Sequence, residues 1–184
     1  MTSRRILSFL IILFLSAYSY AQNDSTKPIN AGIELDVLPY LTGGYFGAVW
    51  LGRDHFRCRV LTARVHKPDF ATQEGFTNND VTAYALLADY FLKENWKGWW
   101  IATGPVYWRS SIQTDDEINT AYYNTWLWNG SIGYNFSLCK IFYVSPWVAL
   151  NVRIGGNKNV AVDGETYSPP LFNPEASLKF GVYF

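Results

Sequence analysis

Residues 140–154 constrain this chain more than any others, because their side chains alternate in character with a period of two over a full strand length. Phe142, Val144, Pro146, Val148, Leu150, Val152 and Ile154 fall on one side, and Tyr143, Ser145, Trp147, Ala149, Asn151 and Arg153 on the other. Successive side chains of a strand point to opposite faces, so this is a ribbon with one apolar and one mixed side. The same test gives strands at 32–38, 45–51, 55–65, 81–92, 99–110, 120–136 and 175–184. In the third, Phe56, Cys58 and Val60 oppose Arg57, Arg59 and Leu61; in the last, Ala176, Leu178, Phe180, Val182 and Phe184 oppose Glu175, Ser177, Lys179, Gly181 and Tyr183. Eight such segments, with turn residues between them and no helical period, predict an all-β antiparallel fold.

Composition limits where such strands can fold. The 184 residues are 49% hydrophobic and 18% aromatic but only 16% charged. Fifteen basic residues balance fifteen acidic ones, and loss of Arg4 and Arg5 with a leader would leave a small acidic excess. That excludes a basic nucleic-acid surface. Residues 1–21 have the form of a secretory leader: Arg4 and Arg5, an apolar stretch over 6–15, and the small-x-small site Ser19-Tyr20-Ala21. A polar linker at 22–30 would follow, and a barrel domain at 31–184. The apolar stretch is about half the ~20 residues that a spanning helix needs. If the mature chain enters a bilayer it must do so as strands, since only helices and closed barrels satisfy their backbone groups in lipid.

Connection lengths agree with such a barrel. With both termini periplasmic, the periplasmic turns are 52–54, 93–98 and 137–139, all short, whereas the outside connections 39–44, 66–80, 111–119 and 155–171 include three longer ones. Outer-membrane barrels alternate short periplasmic turns with longer outside loops. Trp96, Trp99, Phe136 and Phe142 are expected in a periplasmic aromatic girdle, and Tyr122 and Trp108 in an outer one. Trp100 and Trp108 would share a face roughly 20 Å apart along the membrane normal.

The closing segment Ala176-Ser177-Leu178-Lys179-Phe180-Gly181-Val182-Tyr183-Phe184 resembles the C-terminal assembly signal of bacterial outer-membrane β-barrels: a terminal aromatic, hydrophobic residues at every second position, and a polar-x-Gly element in Lys179-Phe180-Gly181. With the leader and eight strands, the chain looks like a small OmpA/OmpX-type barrel. The resemblance implies an antiparallel eight-stranded up-and-down transmembrane β-barrel in the Gram-negative outer membrane. It also implies periplasmic chaperones and the barrel-assembly machinery as biogenesis partners, through Lys179, Gly181 and Phe184.

With apolar faces outward, the lumen should collect Glu34, Asp36, Asp89 and Glu175 with Arg57, Arg59, Arg109, Arg153 and Lys179. An eight-stranded barrel is just wide enough for its own side chains, so these groups should pair and fill it rather than line a pore or narrow ion path.

Chemistry beyond packing has little support. An outer-membrane lipid-modifying hydrolase of the lipid A deacylase kind needs a His close to a Ser and an acid. Of the two histidines, His55 falls at a periplasmic turn and His66 near an outer rim where Ser110, Ser111, Asp115, Asp116 and Glu117 also gather, with no His-x-Ser pattern. No cofactor, catalytic residue or metal ligand set is assigned; the acidic run lacks a Gly-turn framework. Cys58 and Cys139 should remain free thiols, too far apart around the barrel to bridge. The expected function is a monomeric structural or surface-interaction protein contacting outer-membrane lipid and lipopolysaccharide. The alternatives are the hydrolase and, less in keeping with the faces, a secreted soluble barrel holding an apolar ligand.

Overall fold

The computed structural model describes residues 28–116 and 118–184; the predicted leader at 1–21, most of the linker and Glu117 lie outside them. Eight antiparallel strands close a barrel: β1 (Asn30–Asp36), β2 (Tyr45–Arg53), β3 (Phe56–Lys67), β4 (Phe76–Phe91), β5 (Gly98–Thr114), β6 (Thr120–Ser137), β7 (Phe142–Gly156) and β10 (Phe172–Tyr183). Each pairs with its neighbour in sequence, and β10 returns to β1 through Gly32↔Tyr183 to Asp36↔Lys179. β8 (Val160–Val162) and β9 (Glu165–Tyr167) form a separate hairpin between β7 and β10.

The segregation of connections follows the sequence except after β5, where residues 115–119 are fewer than residues 92–97 after β4. One end carries the turns after β2, β4 and β6, and the other carries the remaining four connections, three of them longer than any of those turns. All four of the latter are more ordered than expected, the β8–β9 hairpin occupying the last. Residues 39–44 overlap a short helix, α1 (Val37–Leu41), capped by the Asp36 carboxylate accepting from the Leu38 N–H. The 66–80 and 111–119 loops shrink because β4 and β5 pair as far as Phe76↔Thr114. A register shift between Thr77 and Asp80 explains why this extension escapes a period-two test, since a bulge adds one residue and breaks the alternation.

The faces fall as the clean strands predict. On β7, Val148, Leu150 and Ile154 are exposed while Tyr143, Ser145 and Asn151 are buried. Leu178 and Phe180 of β10 are likewise exposed beside a buried Lys179. The expected aromatic girdles need correction: Trp99, Phe136, Phe142 and Tyr122 do face outward, but Trp96, Trp100 and Trp108 are buried inside. On β5 the inward phase is Gly98, Trp100, Ala102, Gly104, Val106 and Trp108, in which small residues make room for the two indoles.

Candidate functional site

The half of the lumen nearest the short turns is built on four charges. Arg57 and Arg59 lie two apart on β3 and so share its inward face, while register places Asp89 of β4 directly opposite Arg57. Glu34 arrives from β1, two strands to the other side, across the small Ala48 of β2. Arg57 reaches Asp89 at 2.5 Å and Glu34 at 2.8 Å; Arg59 reaches Glu34 at 2.8 Å and Asp89 at 3.0 Å. Each guanidinium therefore bridges both carboxylates, and all four side chains are buried. Charges removed from water need such close, multiply bonded partners to offset their desolvation.

Aromatic groups enclose this ring. The Tyr143 hydroxyl donates to Glu34 at 2.6 Å and accepts from the Trp50 indole at 3.1 Å and from Arg57 at 3.2 Å. The Arg57 guanidinium carbon lies 5.0 Å from the ring centroids of both Trp50 and Phe91. Lys179 sits over Trp147 at 4.1 Å and Trp100 at 5.0 Å, within the range in which a ring face attracts an ammonium. Asp36, nearby, accepts from the Trp147 indole at 2.7 Å and from the Ser177 hydroxyl.

Gly181 and Gly133 allow the rings to lie this close. A Cβ on Gly181 would overlap the Tyr143 ring, and one on Gly133 the Trp100 indole. Below the ring, Trp96 closes the short-turn end. Asn95 and Trp96 both adopt positive φ, 74° and 59°, which turns the indole inward against Trp50 and Phe91, at centroid separations of 5.6 and 5.3 Å. Left-handed backbone at two non-glycine residues costs of order 1–3 kcal/mol each, sustained by surrounding contacts. Here Asn135 and the Tyr183 hydroxyl both donate to the Trp96 carbonyl, at 3.0 and 3.1 Å.

Of the nine charged residues expected in the lumen, Glu34, Asp36, Arg57, Arg59, Asp89 and Lys179 come together there, three acids with three bases. Glu175 has the inward parity of Lys179 but remains accessible to solvent, closer to the long-loop end, where Lys67 acts on it electrostatically. Lys67 itself donates to Asn173 at 3.3 Å and lies 4.5 Å from the Trp108 ring centroid. Arg153 stands at the long-loop rim, its guanidinium 3.4 Å from the Asn157 carbonyl. Arg109 must be reassigned: its neighbours Trp108 and Ser110 are buried inward, so its own side chain projects outward and is exposed.

Tyr143 and Trp50 complete the site without having been assigned to it from the sequence, and Trp96, expected in a lipid-facing girdle, joins them inside. Tyr143 and Trp50 are in phase with inward polar or small residues, a signal that alternation carries. Trp96 lies in a turn, where alternation says nothing.

At the long-loop end the β8–β9 hairpin caps the barrel mouth. Val160, Val162 and Tyr167 pack with Phe76, Ile112 and Tyr123 in one apolar cluster. Its turn is Asp163-Gly164, both at positive φ, a two-residue hairpin signal already present in the sequence. Asp163 accepts from the Asn119 side chain at 2.6 Å, the Asn119 backbone N–H at 3.1 Å and the Thr114 hydroxyl at 3.0 Å. These bonds, led by that of the Asn119 side chain, hold the exposed Asp163 carboxyl below the usual carboxylate range.

The residues suspected of hydrolytic chemistry do not assemble into a relay. His66, Asp80 and Ser111 occupy one row across β3, β4 and β5, with His66 3.1 Å from Asp80. The acid stands between the base and the hydroxyl, whereas a relay needs the histidine in the middle. Ser110 is buried on the opposite face. Cys58 on β3 and Cys139 in the β6–β7 turn are unbonded.

No family model matches this chain, and no curated protein does. Among solved structures it is similar to Neisserial surface protein A (NspA), with a TM-score of 0.53 at 9% sequence identity, over 85% of this chain and 96% of that one. At that identity the likeness concerns the fold, an eight-stranded antiparallel β-barrel.

Proposed function

We infer that this chain is an integral outer-membrane barrel with a structural or surface-interaction role, the short turns facing the periplasm and the longer connections facing outward. The observation that carries this reading is the inversion of the usual distribution of polarity. Arg57, Arg59, Glu34 and Asp89 are buried, while Val49, Leu51, Val60, Leu86, Ile101 and Leu150 are exposed around the wall. A protein dissolved in water seldom exposes so large an apolar surface, whereas a bilayer requires it. The name of NspA, a surface protein, agrees with this assignment.

In this reading the lumen is a packed strut rather than a path. The ring of four charges and the Trp96 plug fill the periplasmic half, so the working surface is the outer one, capped by the β8–β9 hairpin. Loops on a rigid barrel are where binding residues concentrate. The partners are outer-membrane lipid and lipopolysaccharide around the wall, and the barrel-assembly machinery during biogenesis through the strand that carries Lys179, Gly181 and Phe184. The barrel acts as a monomer.

Heat-modifiable gel mobility of the protein in isolated outer membranes tests the reading. A form that migrates differently before and after boiling is expected; recovery in the soluble periplasmic fraction would instead favour a soluble carrier.

A further inference from the structure

Going up the outward face of β3 to β6, chemistry changes over three rows two residues apart, each row about 5 Å above the last along the membrane normal at the usual tilt. The first row holds Val60 beside Leu86, and Pro105 beside Trp128. The second is Thr62, Tyr84, Tyr107 and Trp126, with the last two rings 4.7 Å apart. The third is Arg64, Thr82, Arg109 and Asn124. Arg109 lies ten residues beyond Trp99 on the same strand, a rise of about 25 Å, the height of a barrel's apolar band. Its guanidinium is thus presented where hydrocarbon gives way to headgroups.

Around it the wall is hollowed. A groove of about 690 Å³ is lined by Arg64, Asp80, Tyr84, Arg109, Ser111 and Tyr122, among others, and lies along the β4 bulge at Thr77–Asp80. A bulged strand bends, which accounts for the concavity. Asp80, the carboxylate of this groove, is already engaged by Arg64 at 3.2 Å and by His66 at 3.1 Å. Arg109 has no carboxylate partner among the described residues.

We propose that this groove binds the phosphate group of an outer-leaflet lipid, held by Arg109 with Arg64, the lipid's chains lying down the apolar row of Val60, Leu86 and Trp128. The inference rests on the outer-membrane reading above. A guanidinium fork matches phosphate geometry, and the hydroxyls of Thr82 and Ser111 flank it as further donors. A lipid is favoured over a soluble anion because only an amphiphile uses both the cationic row and the apolar row beneath it.

Native mass spectrometry of the full chain, folded in detergent micelles and titrated with lipid A, tests this. The lipid is supplied either with its phosphates or dephosphorylated. Phosphorylated lipid should be retained by the wild type, and retention should fall about tenfold in Arg109→Gln, as expected for loss of a charged hydrogen bond, and less in Arg64→Gln. Lys158→Gln, an exposed cation outside the groove, should behave as wild type. Equal retention by Arg109→Gln, equal binding of the dephosphorylated lipid, or full displacement of lipid by inorganic phosphate would each overturn the proposal. Heat-shifted mobility of every variant reports the barrel separately: a folded barrel indifferent to phosphate defeats this inference alone, and a chain that forms no barrel defeats the reading beneath it.

Discussion

Arg57 and Asp89 face each other across β3 and β4 with Nε 2.5 Å from Oδ2, and neither side chain touches solvent. Asp89→Ala should therefore destabilise the barrel by about 3–5 kcal/mol, because it leaves a buried guanidinium underpaired. Urea unfolding in lipid vesicles, followed by tryptophan fluorescence, measures this. In a double-mutant cycle with Arg57→Met, the second substitution should recover much of the loss, since replacing a whole buried pair costs far less than halving it. Strict additivity of the two single changes would contradict the coupled geometry.

Gly181 belongs to the segment that resembles an assembly signal, and the structure gives it a second task beneath the Tyr143 ring. Gly181→Val should cost about 1–3 kcal/mol by overpacking. The companion change Tyr143→Ala should relieve that strain. If Gly181→Val lowers stability equally in the Tyr143→Ala background, ring accommodation is not why a glycine stands there.

Trp96→Ala removes the periplasmic plug and should cost about 3–5 kcal/mol, as large aromatic truncations do. It should not create a channel, because the Arg57–Glu34–Arg59–Asp89 ring still spans the lumen above it. Planar-bilayer recordings decide the point: discrete conductance steps in this variant would mean that the ring does not seal the barrel.

How much of this was legible in the residues follows from what alternation can report. Strands with one apolar side, such as β3, β7 and β10, reveal their inward charges directly, which is why Arg57, Arg59 and Lys179 can be placed from sequence. β5 is apolar on both faces around Trp99 and Trp100, so its phase is ambiguous, and choosing it wrongly sends Trp108 outward and Arg109 inward. The deciding signal was the run of small residues Gly98, Ala102 and Gly104 in the phase of the two tryptophans. Trp96 escapes any periodic test because its direction is set by two left-handed turn residues. The Arg109 groove escapes because it is made by neighbouring strands and a bulge, none of which one strand's pattern contains.

The β8–β9 cap should loosen in acid. The Asp163 carboxyl titrates below its ordinary range in the folded chain, so its contribution is present above the unfolded value, near 3.9 for a free aspartate, and is lost as pH falls through the depressed folded value. Amide exchange in residues 157–168 should rise between pH 5 and the lower acid range more than in the barrel strands. Asp163→Asn should remove that dependence. An identical pH response in the variant would assign the effect to another group.

The orientation of the faces can be tested residue by residue. Val148 and Leu178 project outward, while Asn151 and Lys179, within three residues of them in sequence, are buried inside. A photoactivatable probe confined to the bilayer core should therefore label Val148 and Leu178 and spare Asn151 and Lys179, in native membranes and in reconstituted vesicles alike. Strand periodicity makes the outcome sharp: a one-residue slip in either strand exchanges the whole labelled set for the unlabelled one. Labelling of Asn151 and Lys179 with sparing of their neighbours would place lipid inside the ring of β-strands and charge outside it. The buried arginines and the Arg109 groove would then exchange environments, and neither the packed lumen nor the lipid-phosphate site would survive.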